Sequence, residues 1–521
     1  MVPELIEPTA SVVGRKIPPE PTASVVGRKI PPEPTASVVG LPGFSPTDLP
    51  VGLQTQRINH NPPHLFSKGV NLPKKSVTLK TSVTNKDIWL IAYPIILGSV
   101  AQNIINITDT AFLGRVGQVA LGAGAIGGIF YLVASMLAWG FGIGSQIIIA
   151  RRHGEQAFGE IGRTFRHGFF FMLPLTLTLF SLMKFFSGDL LSLIINSEAV
   201  YDSLQEYLGY RSWGIFFAGV NMLYRGLYIG IARTKVITYT TFILAFTNAF
   251  LDYCLIFGNL GFPEMGIGGA ALASTLSEAV ATVYFTVYTF FILDGRKYRI
   301  TARSRFDEQL YRRIIRISLP VMMQNFISMV AWLVFFLFIE KLGEMALAVS
   351  NIVRSFYVIL MIPMWGFSSA TSTLVSSLIG QGRQGEVMSL VYKVARLCAL
   401  GVMIVAALGA LFPGYALMIY TDDAGMIKAS LPALYVVNIS VLFLAVGFVF
   451  FSAVSGTGKT QVSFLIELIV IVFYLVFSYL LAVVWRAEVY VVWMAEFFYA
   501  FMLGTLSYLY LKRGKWKSVR I

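Results

Sequence analysis

"LAWGFGIGSQIIIARRHGEQ", residues 137–156, has a counterpart in "PMWGFSSATSTLVSSLIGQG", residues 363–382. Trp139 falls opposite Trp365, a spacing of 226 residues. The same spacing sets Pro94 against Pro320, Gly117 against Gly343 and Phe130-Tyr131 against Phe356-Tyr357. It also pairs Gly154 with Gly380 and Gly230 with Gly456. One ungapped offset over that length marks an internal duplication, which has to be recognised before any local motif is read.

Each copy holds six apolar runs. In the first they lie near 88–112, 119–148, 164–187, 205–230, 235–257 and 267–293; in the second near 313–338, 345–379, 390–413, 429–454, 461–484 and 487–511. Each approaches the roughly 20 residues that a helix needs to cross a bilayer. The 521 residues are 56% hydrophobic and 13% charged, about half the charge of a soluble domain, where roughly 25% is usual. The expected fold is therefore an all-α polytopic membrane protein. It has twelve transmembrane helices in two parallel six-helix repeats, because an even number of crossings returns the chain to the side from which it started.

The net charge of +14 follows this topology rather than nucleic acid. With the N-terminus placed in the cytoplasm, the inside loops carry Lys74, Lys75, Lys80 and Lys86, then Arg151, Arg152, Arg163 and Arg166, then Arg233 and Lys235. The junction between the copies adds Arg296, Lys297, Arg299, Arg303, Arg305, Arg312 and Arg313. Outside loops such as "SGDLLSLIINSEAVYDSLQE" and "YTDDAG" are neutral or acidic. This is the positive-inside pattern, and it puts both termini in the cytoplasm. The expected organisation is a leader at 1–80, six-helix bundles at 85–293 and 313–511, a cytoplasmic linker at 294–312 and a basic tail at 512–521. "EPTASVVGRKIPP" at 7–19 recurs at 20–32 and begins again at 33; such a Pro-rich tandem buries too little to order itself. The leader has no apolar core of a signal peptide.

Three chemistries are set aside. Cys254 and Cys398 both lie inside apolar runs, and the four histidines are scattered between the leader and one basic loop, so neither a disulfide framework nor a metal centre is expected. "AVSGTGKTQ" at 453–461 imitates a phosphate-binding loop, yet Ala453 stands where the first glycine belongs. Such a loop also follows a strand. Here the offset pairs "GTGKTQV" with "GIARTKV", making both the same short loop between the fourth and fifth spans. No enzyme and no ATP-driven pump is expected, and no cofactor beyond a coupling ion.

The duplication provides an internal control, because positions polar in one copy and apolar in the other are candidates for function. Gln102, Asn106 and Asp109 form one stripe on the first span, opposite Ser328, Trp332 and Phe335. Asn248 and Asp252 share a face of the fifth span, opposite Tyr474 and Ser478. A carboxylate within a membrane span is expensive and marks an ion path by default. Asp109, Asn248 and Asp252 are thus the candidate cation or proton site, with Gln102 and Asn106 as its supporting polar face. Glu278 and Glu496 occupy similar places in the two copies, which points to a shared lining or structural role. Glu467 is asymmetric, opposite Thr241. Arg225 and Arg354 are expected to pair with carboxylates or to attract an anionic group of the substrate.

"NITDTAFLGRVGQVAL", "TNAFLDYCLIFG", "GGAALAST" and the repeated "WGF" segments resemble the multidrug and toxic compound extrusion (MATE) family, over about 85–520. The resemblance implies two bundles forming a V around a central cavity. It also implies export of amphipathic, often cationic compounds in exchange for H+ or Na+. In the DinF-like branch the cation site lies in the first bundle, and its residues match Asp109, Asn248 and Asp252. The NorM-like branch adds a glutamate on the seventh helix where this chain has Ser328; Glu467 is the candidate substitute. The implied protein is a monomer of the plasma (inner) membrane, with a small amphipathic molecule and lipids as its partners and H+ or Na+ at the candidate site. The alternative is a flippase for a lipid-linked oligosaccharide, whose cavity would need basic residues; Arg225 and Arg354 are the candidates.

Overall fold

The computed structural model describes residues 83–517 except 194, 303–304, 419 and 422; the leader assigned to 1–80 lies outside the described residues. The first half consists of α1 (Asn85–Val116), α2 (Gln118–Gly154), α3 (Phe158–Ser192), α4 (Glu198–Arg211 and Gly214–Gly230), α5 (Lys235–Phe257) and α6 (Gly266–Phe291). The second consists of α7 (Glu308–Glu340), α8 (Glu344–Gly380), α9 (Gln384–Leu411), α10 (Ala424–Gly456), α11 (Thr460–Val484) and α12 (Val489–Arg513). Among the described residues, 11 helices are long and apolar enough to span a bilayer. The twelfth span is α4, which is interrupted at Ser212 and Trp213. Helices satisfy their own backbone groups, the condition that hydrocarbon imposes on any spanning element.

The helices overrun the apolar runs. The second run, read as 119–148, belongs to a helix that continues to Gly154, and the seventh, read as 313–338, to one that starts at Glu308 behind the cap of Asp307. Caps and charged turns carry helices out of the apolar layer, so hydropathy alone trims them.

The duplication extends to turns. Gly117 and Gly343, Gln156 and Gly382, and Ala232 and Gly458 all have positive φ, and each pair is related by the 226-residue spacing. Gly458 belongs to the imitation phosphate loop, which joins the helices α10 and α11 and follows no strand.

Within each half the packing is equivalent: α5 packs on α1 as α11 does on α7, and α4 on α2 as α10 does on α8. Pro94 removes an N–H from α1 and releases the Leu90 carbonyl, to which Thr234 Oγ1 donates at 3.0 Å. Thr238 Oγ1 donates to the Pro94 carbonyl at 2.7 Å. These bonds fix α5 against α1.

The halves meet through α1 and α2 against α7 and α8. A Cβ at Gly154 would overlap the Ser377 carbonyl, and one at Gly380 the Arg151 carbonyl; both contacts are mates under the repeat. Gln146 Nε2 donates to Thr373 Oγ1 at 2.9 Å, and Ser376 Oγ to the Ile147 carbonyl at 2.7 Å. Arg151 donates from Nε to the Ser376 carbonyl at 3.0 Å and from Nη2 to the Thr457 carbonyl at 2.9 Å. This seam lies at the C-terminal ends of α2 and α8. The connection between the halves runs beside it, with Arg163 Nη2 2.5 Å from Asp307 Oδ2 and the Asp307 N–H donating to His167 Nε2 at 2.9 Å.

Candidate functional site

Crossing of α1 and α5 brings Asp109 and Asp252 together. Close approach needs small residues between the helices, and a Cβ at Gly98 would already lie 3.3 Å from Thr241 Oγ1. Five and seven residues from their helix ends, the carboxyl groups of Asp252 and Asp109 come within hydrogen-bond reach of each other. Asp252 is fully buried, and Asp109 is half-buried. Asp109 Oδ1 and both oxygens of Asp252 are enclosed without a hydrogen-bond donor among the described residues. An ionised carboxyl is an acceptor only, so two ionised groups here would oppose acceptor to acceptor. One proton converts one of them into a donor and closes the gap.

Asn248 lies one turn before Asp252, also buried, with Nδ2 3.4 Å from Ser274 Oγ on α6 and Oδ1 unpartnered. Gln102 and Asn106 share the stripe of Asp109 but are exposed. In the second half the same helix crossing holds rings instead. Phe335, the mate of Asp109, stacks on Tyr474, the mate of Asn248, with centroids 5.5 Å apart. The crossing therefore packs well without carboxyls, and their presence in one half alone is not a packing requirement.

Glu278 on α6 is held by a separate group of side chains. Arg211, at the end of the first segment of α4, bonds it with both guanidinium nitrogens, Nη2 to Oε1 at 2.7 Å and Nη1 to Oε2 at 3.1 Å. Tyr131 donates to the same Oε2 at 2.8 Å, and its ring lies beneath the guanidinium, 3.5 Å from centroid to Cζ. Among the described residues Arg211 forms an ion pair with Glu278 and none with Asp109. It is absent from the candidates drawn from sequence, although it stands within the fourth apolar run as a charge that needs a partner.

The second half departs from the expected symmetry. Glu496 receives Tyr357 and Tyr474 hydroxyls at 3.0 and 2.9 Å. Tyr357 is the mate of Tyr131, so one hydroxyl is shared between the halves. The mate of Arg211, however, is the buried Val437, and among the described residues no cation pairs with Glu496. Glu278 and Glu496 thus share a tyrosine partner and differ in the counter-ion. Glu467 accepts from Ser328 Oγ at 2.7 Å and Tyr499 at 2.8 Å, both on Oε1. Ser328 and Glu467 lie far apart in sequence, and only the α7–α11 crossing joins them.

Pairing of Arg225 and Arg354 with carboxylates is not what the structure shows. Arg225 lies over the Trp139 ring at 5.6 Å and Arg354 over Phe336 at 5.3 Å, and neither forms an ion pair among the described residues. A guanidinium stacks on an aromatic face at little desolvation cost.

The MatE family profile matches residues 94–254 and again 320–480, two stretches related by the repeat spacing. The chain belongs to the MatE family. It is 27% identical over 400 residues to the "Probable multidrug resistance protein NorM" of Thermotoga maritima, covering 75% of this chain and 82% of that one. A protein of the same name from Photorhabdus laumondii is 25% identical, with 71% and 79% covered. Among solved structures, an outward-facing conformation of a multidrug resistance MATE family transporter superposes with a TM-score of 0.76 at 20% identity, covering 82% of this chain and 95% of that one. A transporter from Pyrococcus furiosus gives 0.72 at 19% identity, with the same coverage. These MatE-family likenesses describe transporters rather than enzymes, and the chain is a multi-pass membrane protein of that kind.

Proposed function

We propose that this MatE-family chain is a secondary antiporter that exports amphipathic, cationic compounds in exchange for protons loaded on Asp109 and Asp252. The observation that carries this reading is the facing pair of carboxyls, enclosed and without donors, where the second half has stacked rings. The names of its relatives, multidrug resistance proteins, support the substrate class. Opposed acceptors with no donor are satisfied by a bridging proton or by Na+ bound to oxygen; the reach of one carboxyl to the other is the reason for assigning the proton. The halves act in the plasma membrane of a monomer, with the seam, the linker at 294–312 and the basic tail at 512–521 on the cytoplasmic side.

Removing one buried carboxylate charge is worth about 3 kcal/mol on insertion scales, roughly a hundredfold in a conformational equilibrium. Where one packing buries the pair and the other hydrates it, a single proton shifts the balance between them by up to that factor. Substrate that prefers the unloaded state then drives the proton off, and exchange follows from this differential affinity.

The test uses proteoliposomes, with pH and Na+ gradients imposed separately. A pH gradient should drive export, and Asp109→Asn or Asp252→Asn should reduce that export to the leak while leaving substrate binding measurable. Export driven equally well by Na+ alone at uniform pH would overturn the proton assignment. Full coupling in the double variant would overturn the site.

A further inference from the structure

Arg151, near the end of α2, is 2% exposed, and its side chain leaves its own half of the molecule. Nε donates to the Ser376 carbonyl of α8 at 3.0 Å, and Nη2 reaches on to the Thr457 carbonyl at 2.9 Å. Thr457 is fully buried and closes α10, where the last carbonyls of a helix lack intrahelical donors. It belongs to "SGTGKT" at 455–460, the segment that imitates a phosphate-binding loop. In that turn Thr457 Oγ1 donates to the Val454 carbonyl at 2.7 Å, and Gly458 has a φ of 87°. The segment thus offers a backbone acceptor, at the negative end of a helix dipole, to a cation from the other half.

The rest of the seam obeys the repeat. Gly154 and Gly380 are mates, and each lies against the other helix's backbone. Gln146 Nε2 lies 3.3 Å from Oγ of its own mate, Ser372, so the two copies meet there about their common axis. Arg151 breaks this symmetry. Its mate is Ser377, and the mate of Thr457 is Ile231. The Ser377 hydroxyl stays within its own half, accepting from Gln381 Nε2 at 3.2 Å. The symmetric contacts join α2 to α8 alone, whereas the arginine adds, on one side, a bond to the turn after α10. Gly380 gives it a path, since a Cβ there would lie 3.2 Å from Arg151 Cδ.

We infer that Arg151 is a positioning residue of the transport cycle, a lock that holds the α2–α8 end closed with the Thr457–Gly458 turn as its keeper. Bonds from a guanidinium to carbonyls are charge-assisted and strong, yet water entering on opening hydrates the cation and both acceptors. The lock therefore biases the closed packing without forbidding the open one, as a cycle between two packings requires. This inference rests on the antiporter reading given above, in which this end has to open. It gives the turn that imitates a nucleotide site a mechanical task.

Lys235 and Gln461 are mates at the starts of α5 and α11, and both are exposed, so they report how far the halves stand apart at this end. The full chain carrying Lys235→Cys/Gln461→Cys is spin-labelled in lipid nanodiscs, and the label separation is measured by pulsed electron resonance. Cys254 and Cys398 are fully buried and stay unlabelled. A short and a long distance should appear, in proportions that change with pH and with added tetraphenylphosphonium. Arg151→Gln should raise the ratio of long to short about tenfold. Gly458→Val, which forces a β-branched residue into positive φ and displaces the turn, should raise it too. Arg151→Lys, a point charge without the fork, should fall between. Lys459→Ala, whose side chain is exposed, should leave the ratio unchanged. A ratio that does not move in Arg151→Gln, or that Lys459→Ala raises as far, overturns the lock. If Arg151→Gln does not fold, an unmoved ratio in Gly458→Val has the same meaning. One fixed distance at every pH and with the added cation, in the parent and all variants alike, means that this end never opens; that result overturns the antiporter cycle itself, and the lock with it.

Discussion

Tyr131 and Tyr357 occupy equivalent positions and donate to equivalent glutamates, yet their removal should differ. Glu278 without Tyr131 keeps two bonds from Arg211, with 2.7 and 3.1 Å contacts. Glu496 without Tyr357 keeps only Tyr474 and gains an enclosed oxygen with no donor. Leaving a buried acceptor unsatisfied costs about 1–3 kcal/mol. Tyr357→Phe should therefore lower the unfolding temperature in detergent clearly more than Tyr131→Phe does. Equal losses would mean that Arg211 contributes little to holding Glu278. The polar stripe on α1 and the short one on α5 were legible from residue type and spacing alone, because a carboxyl in a bilayer-length apolar run has few explanations. That Asp109 and Asp252 face each other was not legible, since helical spacing gives the face of each helix and not the angle at which two helices cross. Arg211 was missed for a related reason: near the edge of its run it reads as a charge at a span end. The fold encloses it because α4 extends a further turn and more toward Glu198.

Among the elements, the twelve spans and their duplication could be read because bilayer thickness sets one length and the repeat sets one spacing. The interruption of α4 could not, as Ser212 and Trp213 carry no glycine or proline signal and break the ladder only through their surroundings. The seam between α2 and α8 was visible only as two aligned glycines, Gly154 and Gly380. In the structure each sits against the other helix's backbone, and Gln146 and Thr373 face across it at 2.9 Å. If export requires the halves to part here, holding these positions together must stop it. Gln146→Cys/Thr373→Cys joined by a short reducible bifunctional reagent should lose export and regain it on reduction. Gly380→Ala, which pushes a methyl group onto the Arg151 carbonyl, should lower the yield of that cross-link. Export that continues at full rate with the cross-link complete would show that the seam stays closed throughout the cycle.

For the molecule as a whole, orientation follows from charge that the membrane sorts and packing does not. Basic residues crowd the end of the bundle where the seam lies and where the linker packs on α3 through Arg163, Arg166 and Asp307. The opposite end carries the acidic turn before α10, capped by Asp423 on the Gly425 and Met426 N–H groups. Each Lys or Arg near the cytoplasmic surface is worth about 1 kcal/mol of attraction to anionic lipid, so the summed preference for one orientation is large. Two exposed sites report it: Arg296 in the linker and Ala424 at the start of α10. The background is silent, because Cys254 and Cys398 are both fully buried and beyond reach of a membrane-impermeant maleimide. In intact cells, Ala424→Cys should be labelled and Arg296→Cys should not; in inverted vesicles the pattern should reverse. Labelling of Arg296→Cys from outside intact cells would place the seam on the outer face. The closed end would then be the exit rather than the entrance, and the direction of transport would have to be argued anew from the carboxyl pair, which lies toward the opposite ends of α1 and α5.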